Sequence, residues 1–151
     1  MDYSSETTPQ SILDKPISHW LSKIKLDTVL VILIILAAFL SRLIGLGDRV
    51  MAHDEVNHVV PSYNFYQGQG YRYDPVTHGP MQFHLIALSY FLFGDNDFTS
   101  RLPHALFSVA AIAVVAIGFR RYLGKKGALI AAFLFLISPY MLFYGRYARN
   151  E

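Results

Sequence analysis

Residues 28–46 read TVLVILIILAAFLSRLIGL, and whether this run crosses a bilayer decides the fold. It is apolar apart from Ser41 and Arg42 near its end. As a helix rising 1.5 Å per residue, about 20 residues cover a hydrocarbon core of roughly 30 Å. Two further windows meet the same requirement: neither 102–119 nor 127–145 contains Asp, Glu, Lys or Arg. One such window could be the core helix of a large soluble protein. Three windows in 151 residues, 53% of them hydrophobic and 15% aromatic, indicate an integral membrane protein. The expected fold is all-α, with spans at about 26–46, 102–119 and 127–145 and an extracytoplasmic loop over 47–101.

The rest of the composition narrows the possibilities. With no cysteine, disulfides and thiolate metal sites are excluded. A net charge of +2 is too small to suggest nucleic-acid binding. The first span starts too far into the chain, and without a small-residue cleavage site, to be a removable signal sequence. Residues 1–25 read as a cytoplasmic tail, with a short interfacial helix expected near 17–24 around Trp20. The chain stops just after a charged run, which reads as the N-terminal part of a longer protein, inactive by itself.

Topology turns on residues 81–93. As a helix they would be about 20 Å long, too short to cross, and Gln82, His84 and Ser89 interrupt them. Read as interfacial or re-entrant, they leave the basic loop 120–126 on the side of Lys23 and Lys25, the cytoplasm by the positive-inside rule. Asp54, Glu55 and Glu151 then share the opposite face. The charge bias is weak: seven Lys and Arg lie inside, against six near the outer edge (Arg42, Arg49, Arg72, Arg101, Arg146 and Arg149). Arg42, near the end of span one, is expected to snorkel outward. Pro103 is expected in the first turn of span two, where proline is tolerated. Ser138-Pro139 should bend or end span three.

The polar chemistry starts directly after the first span, at His53-Asp54-Glu55-Val56-Asn57-His58. Two adjacent carboxylates at a membrane face suit a general base or a cation ligand, although acids also favour a helix N-terminus for its dipole. Val56, Val59, Val60, Tyr63 and Tyr66 follow a helical period that Pro61 weakens and Gly68-Gln69-Gly70 ends. Glu55 and His58 share a helix face, a weak metal signature in a single copy. His78-Gly79-Pro80, ahead of 81–93, is a turn or a substrate contact. Arg146 and Arg149 suit bidentate phosphate binding, or anchor span three beside Tyr140, Tyr144 and Tyr147.

Taken in order, these features resemble a known family. The series is the first span, Asp54-Glu55, an amphipathic helix with a glycine-rich end, His78-Gly79-Pro80, a short apolar helix closing at Leu92-Phe93-Gly94, and Arg101-Leu102-Pro103-His104-Ala105-Leu106-Phe107. A span, Arg120-Arg121-Tyr122-Leu123-Gly124, a further span to Ser138-Pro139, and Tyr144-Gly145-Arg146-Tyr147-Ala148-Arg149-Asn150-Glu151 complete it. It is similar to the GT-C membrane glycosyltransferases of the protein O-mannosyltransferase and aminoarabinose transferase type, and looks closest to their prokaryotic flippase-activity-associated relatives. The resemblance covers about 26–151.

The resemblance implies a polyprenyl-phosphate-linked sugar donor and a protein, lipid or glycan acceptor at the outer face of a prokaryotic plasma membrane. Asp54 would deprotonate the acceptor hydroxyl, and Glu55 would assist or bind a cation. His78 would contact the donor, although Gly79 departs from the family's usual His-Pro-Pro or Lys-Pro-Pro. Arg146 or Arg149 would hold the lipid phosphate, and Glu151 matches a second-loop acid. Metal use stays open; Asp54, Glu55 and Glu151 are the carboxylates a divalent cation would take. A transporter or flippase component, or a non-catalytic membrane scaffold, are the competing readings.

Overall fold

The computed structural model describes residues 25–72 and 79–149. The expected interfacial helix near 17–24 lies outside them, as do His78 and Glu151. The described residues form six helices and no strand: α1 Leu26–Leu43, α2 His53–Tyr66, α3 Pro80–Phe93, α4 Asp97–Gly118, α5 Arg120–Ile137 and α6 Pro139–Tyr144.

Two of these, α1 and α4, are long and apolar enough to cross a membrane. They pack with α5 through small residues: Ala38, Ala116 and Ala132 are wholly buried, joined by Val31, Val109 and Ile112. Outward, α1 exposes Leu30, Ile32, Leu33, Leu36, Phe39 and Leu40. Alanines inside and leucines outside suit helices that associate in lipid, where close backbone approach replaces the hydrophobic drive. The window 127–145 is divided. α5 starts with Arg120, Arg121, Lys125 and Lys126, is kinked at Gly124 (φ 69°), and stops at Ile137, with α6 following the break at Ser138-Pro139. The expected basic loop 120–126 is therefore largely helical.

Corrections to the expected elements come from prolines and arginines. α4 starts at Asp97, not Leu102, because Asn96 caps it reciprocally with Thr99: Asn96 Oδ1 accepts from the Thr99 N–H at 2.9 Å and Thr99 Oγ1 from the Asn96 N–H at 3.0 Å. Pro103 thus lies inside the helix. It has no N–H to offer the Thr99 carbonyl, and the Ser89 hydroxyl of α3 donates to that oxygen instead, at 2.8 Å. Pro139 likewise leaves the Phe135 carbonyl without its helical partner. Arg42 fills that place: its Nη2 reaches Phe135 O at 3.2 Å and its Nη1 Leu136 O at 3.3 Å. Arg42 is fully buried and caps α5; it does not snorkel outward. At Gly145 a Cβ would sit 2.6 Å from the Ser108 Cβ, so only glycine lets the chain after α6 lie against α4.

Arg42 also donates to Ser108, midway along α4. The first half of α4 therefore projects past the end of α1. α3, with only 14 residues, runs back along that projection as a short apolar helix, and α2 packs on α3. Val59, Ile86, Tyr90 and Ala148 form a second core there. At the opposite end, Lys125 lies 3.9 Å from Asp27, so the start of α1 and the α4–α5 connection are neighbours.

Candidate functional site

The site is built on α2. Val50 to Ala52 lead into it, and Glu55, in its first turn, bends back so that Oε2 accepts from the Ala52 N–H at 3.0 Å. That curl buries Glu55 completely. Arg101, buried in the projecting part of α4, forks onto it: Nε to Oε1 at 2.8 Å and Nη2 to Oε2 at 3.1 Å. Arg49 adds a 2.9 Å bond to Oε2, and the Ala148 N–H a 3.1 Å bond to Oε1. Arg101 turns its Nη1 to the Leu46 and Arg49 carbonyls, at 3.0 and 2.9 Å. One carboxylate thus ties together the end of α1, the start of α2, α4 and the chain after α6. Burial pushes the Glu55 carboxyl up, but the Arg101 bond and charge and the Ala52 and Ala148 N–H bonds outweigh it, and the group stays below the ordinary 4.5.

Asp54, one residue earlier, points elsewhere. Its side chain keeps about half of its exposure (47%), and its Oδ2 accepts from Arg149 Nη1 at 2.7 Å. This contact joins the first polar loop to the segment after α6, 95 positions away. Arg149 and Asp54, both anticipated from sequence, therefore come together. Arg146 does not join them: its Nη2 donates to the Ile44 carbonyl at 2.8 Å, and it lines a cavity of about 340 Å³ with Arg49, Leu142 and Phe143. Arg49 itself lies against the Phe143 and Tyr147 rings, 5.2 and 5.1 Å from their centres.

Arg149 faces two cavities that meet at His104 and Phe107. One, of about 380 Å³, is closed by Gln82, Leu85 and Pro103. The other, of about 280 Å³, is closed by Ser108, Tyr140 and Tyr144. Both are close to the size range of roughly 300–1,000 Å³ that small-molecule sites occupy. Reading the sequence for carboxylates and arginine pairs passed over Arg49, Arg101, Gln82 and His104. Gln82 had shown only as a polar interruption of an apolar helix, and Arg101 and His104 only as members of an ordered series.

The donor set for a cation can be tested on geometry. Both Glu55 oxygens carry hydrogen bonds from five N–H groups, which leaves none directed to a metal. Among the described residues no three His, Cys, Asp or Glu side chains converge on one point. Glu55 therefore does not fit the cation-ligand role that the resemblance allows.

Comparison with known proteins adds the family. Residues 77–151 match the family model described as dolichyl-phosphate-mannose-protein mannosyltransferase. No curated protein and no solved structure matches the chain. The matched region holds Arg101, Arg146, Arg149 and Glu151 and carries the cavity walls of α3 and α4, while Asp54 and Glu55 lie before it. Over that region the chain is similar to the dolichyl-phosphate-mannose-protein mannosyltransferase family, which supports a mannosyltransferase-like membrane glycosyltransferase.

Proposed function

We propose that the chain carries the acceptor-activating part of a glycosyltransferase that moves a sugar from a polyprenyl-phosphate donor to a hydroxyl acceptor at the extracytoplasmic membrane face. The observation that carries this reading is the 2.7 Å pair between Asp54 and Arg149 beside the two cavities. It puts a half-exposed carboxylate next to a guanidinium at a site bordered by apolar helices.

The chemistry follows from those two groups. Asp54 takes the proton of the acceptor hydroxyl as its oxygen forms a bond to the sugar's anomeric carbon. The bond from that carbon to the phosphate oxygen breaks, and polyprenyl phosphate leaves with the electron pair. A guanidinium carries five N–H donors in one plane, so Arg149 can hold Asp54 and a phosphate together and stabilise the charge that grows on the leaving group. Arg149, rather than Arg146, is the phosphate ligand in this scheme, because Arg146 is tied to the Ile44 carbonyl in a separate cavity. Glu55 is a positioning residue: held by Arg101, it sets the first turn of α2 and so the direction of Asp54. His78 and Glu151, outside the described residues, are proposed as a donor contact and a second acid at the same face.

The test is transfer from a polyprenyl-phosphate sugar by the intact protein in proteoliposomes. Asp54→Asn should abolish turnover while donor binding stays within about twofold, as expected for a group acting on the acceptor proton. Turnover retained in Asp54→Asn ends this mechanism. A scaffold role predicts instead that Asp54, Glu55 and Glu151 can be exchanged together without effect on transfer.

A further inference from the structure

We infer that the cavity between the first turn of α3 and the middle of α4 is the sugar subsite of the donor, with Gln82 and His104 as the groups that read its hydroxyls. The inference rests on the glycosyltransferase reading and goes beyond it by naming the residues that distinguish a sugar-bearing lipid from a bare one.

Gln82 is 5% exposed, and neither its amide oxygen nor its amide nitrogen has a hydrogen-bond partner. Because both atoms are unpaired, exchanging the two by rotating the amide leaves the result unchanged. His104 Nδ1 is buried and unpaired as well. All three atoms belong to residues lining one 380 Å³ cavity, whose remaining wall is Met81, Leu85, Pro103, Phe107 and Arg149. Leaving buried polar atoms unpaired destabilises a fold, and native proteins do so where a ligand completes the pairing. Both polar side chains come from helices whose neighbouring positions are apolar, so an aliphatic residue would be the expected occupant of each.

The pattern selects a ligand class. An amide presents one donor and one acceptor side by side, and an imidazole nitrogen presents one or the other. A sugar hydroxyl is donor and acceptor at once, so adjacent hydroxyls answer the amide as a pair. A hydrocarbon would leave all three atoms unpaired. A bare phosphate, acceptor only when ionised, would answer Arg149 but not the amide oxygen. A sugar attached to a phosphate meets both requirements: hydroxyls toward Gln82 and His104, anionic oxygen toward Arg149. Its anomeric carbon then falls near Arg149, where Asp54 is bonded.

The test uses the intact protein in proteoliposomes with dolichyl-phosphate mannose as donor and sugar-free dolichyl phosphate as competitor. Gln82→Met keeps the side-chain length and removes both polar atoms; His104→Leu is an independent second variant. Each should raise KM for the mannosyl donor about tenfold, the loss of one neutral hydrogen bond or two. kcat should hold within about twofold and the competitor's inhibition constant should be unchanged, the signature of lost ground-state binding to the sugar alone. The melting temperature of Gln82→Met should equal or exceed that of the wild type, since an unpaired buried amide has been replaced by an apolar group. An unchanged KM, an equal loss for donor and competitor, or a lower melting temperature showing that Gln82 pairs within the protein, each overturns the inference while the glycosyltransferase reading stands. A wild type that neither binds nor uses the donor removes that reading, and the subsite with it.

Discussion

Asp54 and Glu55 occupy consecutive positions in one turn of α2 and have opposite surroundings. Glu55 is buried against Arg101, and breaking such a pair from one side leaves an unpaired charge inside the protein. Glu55→Gln or Arg101→Met should therefore destabilise the fold by about 3–5 kcal/mol, measured by thermal or denaturant unfolding in detergent. The Asp54–Arg149 pair is partly solvated, so Asp54→Asn should cost at most about 1 kcal/mol and show itself in transfer instead. Acidity separates the two further. The Glu55 carboxyl is held below its ordinary value of 4.5 in the folded state. Its contribution is thus complete above about pH 4.5 and fades as pH falls through the lower folded value, where protonation removes the anion Arg101 needs. Melting temperature should hold from pH 7 to 5 and drop below about pH 4.5, with the drop reduced in Glu55→Gln; a drop of the same size in the variant assigns the acid lability elsewhere. The sequence made both acids visible as one cluster. Residue type alone does not rank them; the resemblance gives Asp54 the base role, but neither shows the burial of Glu55, which comes from an arginine 46 positions away and a backbone N–H 93 positions away.

At the scale of elements, two prolines organise the helix contacts by what they lack. Pro103 and Pro139 each withhold an N–H from the carbonyl four residues back, and a side chain from a neighbouring helix supplies the missing donor: Ser89 to Thr99, Arg42 to Phe135. In lipid an unanswered carbonyl has no water to turn to, so these bonds fix which helices touch. A double-mutant cycle can test the coupling. Arg42→Met should destabilise by about 1–3 kcal/mol per abandoned carbonyl. Pro139→Ala returns a backbone donor, so the double variant should lose less than the sum of the singles by about 1 kcal/mol or more. Strict additivity would mean that Arg42 acts independently of the proline gap. The break at Ser138-Pro139 was legible in the sequence, since proline states its own defect. The remedy was not: an arginine near the end of an apolar run looks the same whether it reaches for lipid headgroups or for a carbonyl of another helix. The same blindness placed the start of α4 too late, because the apolar window begins at Leu102 while the Asn96–Thr99 cap that starts the helix is polar.

For the whole molecule the open quantity is orientation, and the fold explains why counting charges alone left it weakly determined. Of the six arginines at the Asp54 end, Arg72 is exposed and the other five are occupied. Arg42, Arg101 and Arg146 are bonded to carbonyls, and Arg49 and Arg149 to carboxylates. Cations tied up inside a protein offer little free charge for the membrane to sort. The basic residues at the other end are different: Arg121, Lys125 and Lys126 are exposed around the α4–α5 connection, close to Asp27 and the start of α1. The exposed set should govern insertion, so that end is expected in the cytoplasm and the Asp54–Arg149 end outside. The absence of native cysteine makes this directly measurable. Asn57 and Lys126 are both exposed and lie at opposite ends of the helices. In intact cells a membrane-impermeant maleimide should label Asn57→Cys at once and Lys126→Cys only after permeabilisation. The reverse pattern would put the site in the cytoplasm, and labelling of both from outside would mean an even number of crossings between residues 57 and 126, either none or both α3 and α4. The first result would be incompatible with an extracytoplasmic Asp54; the second would leave Asp54 outside and overturn the rule that the exposed basic residues set the orientation.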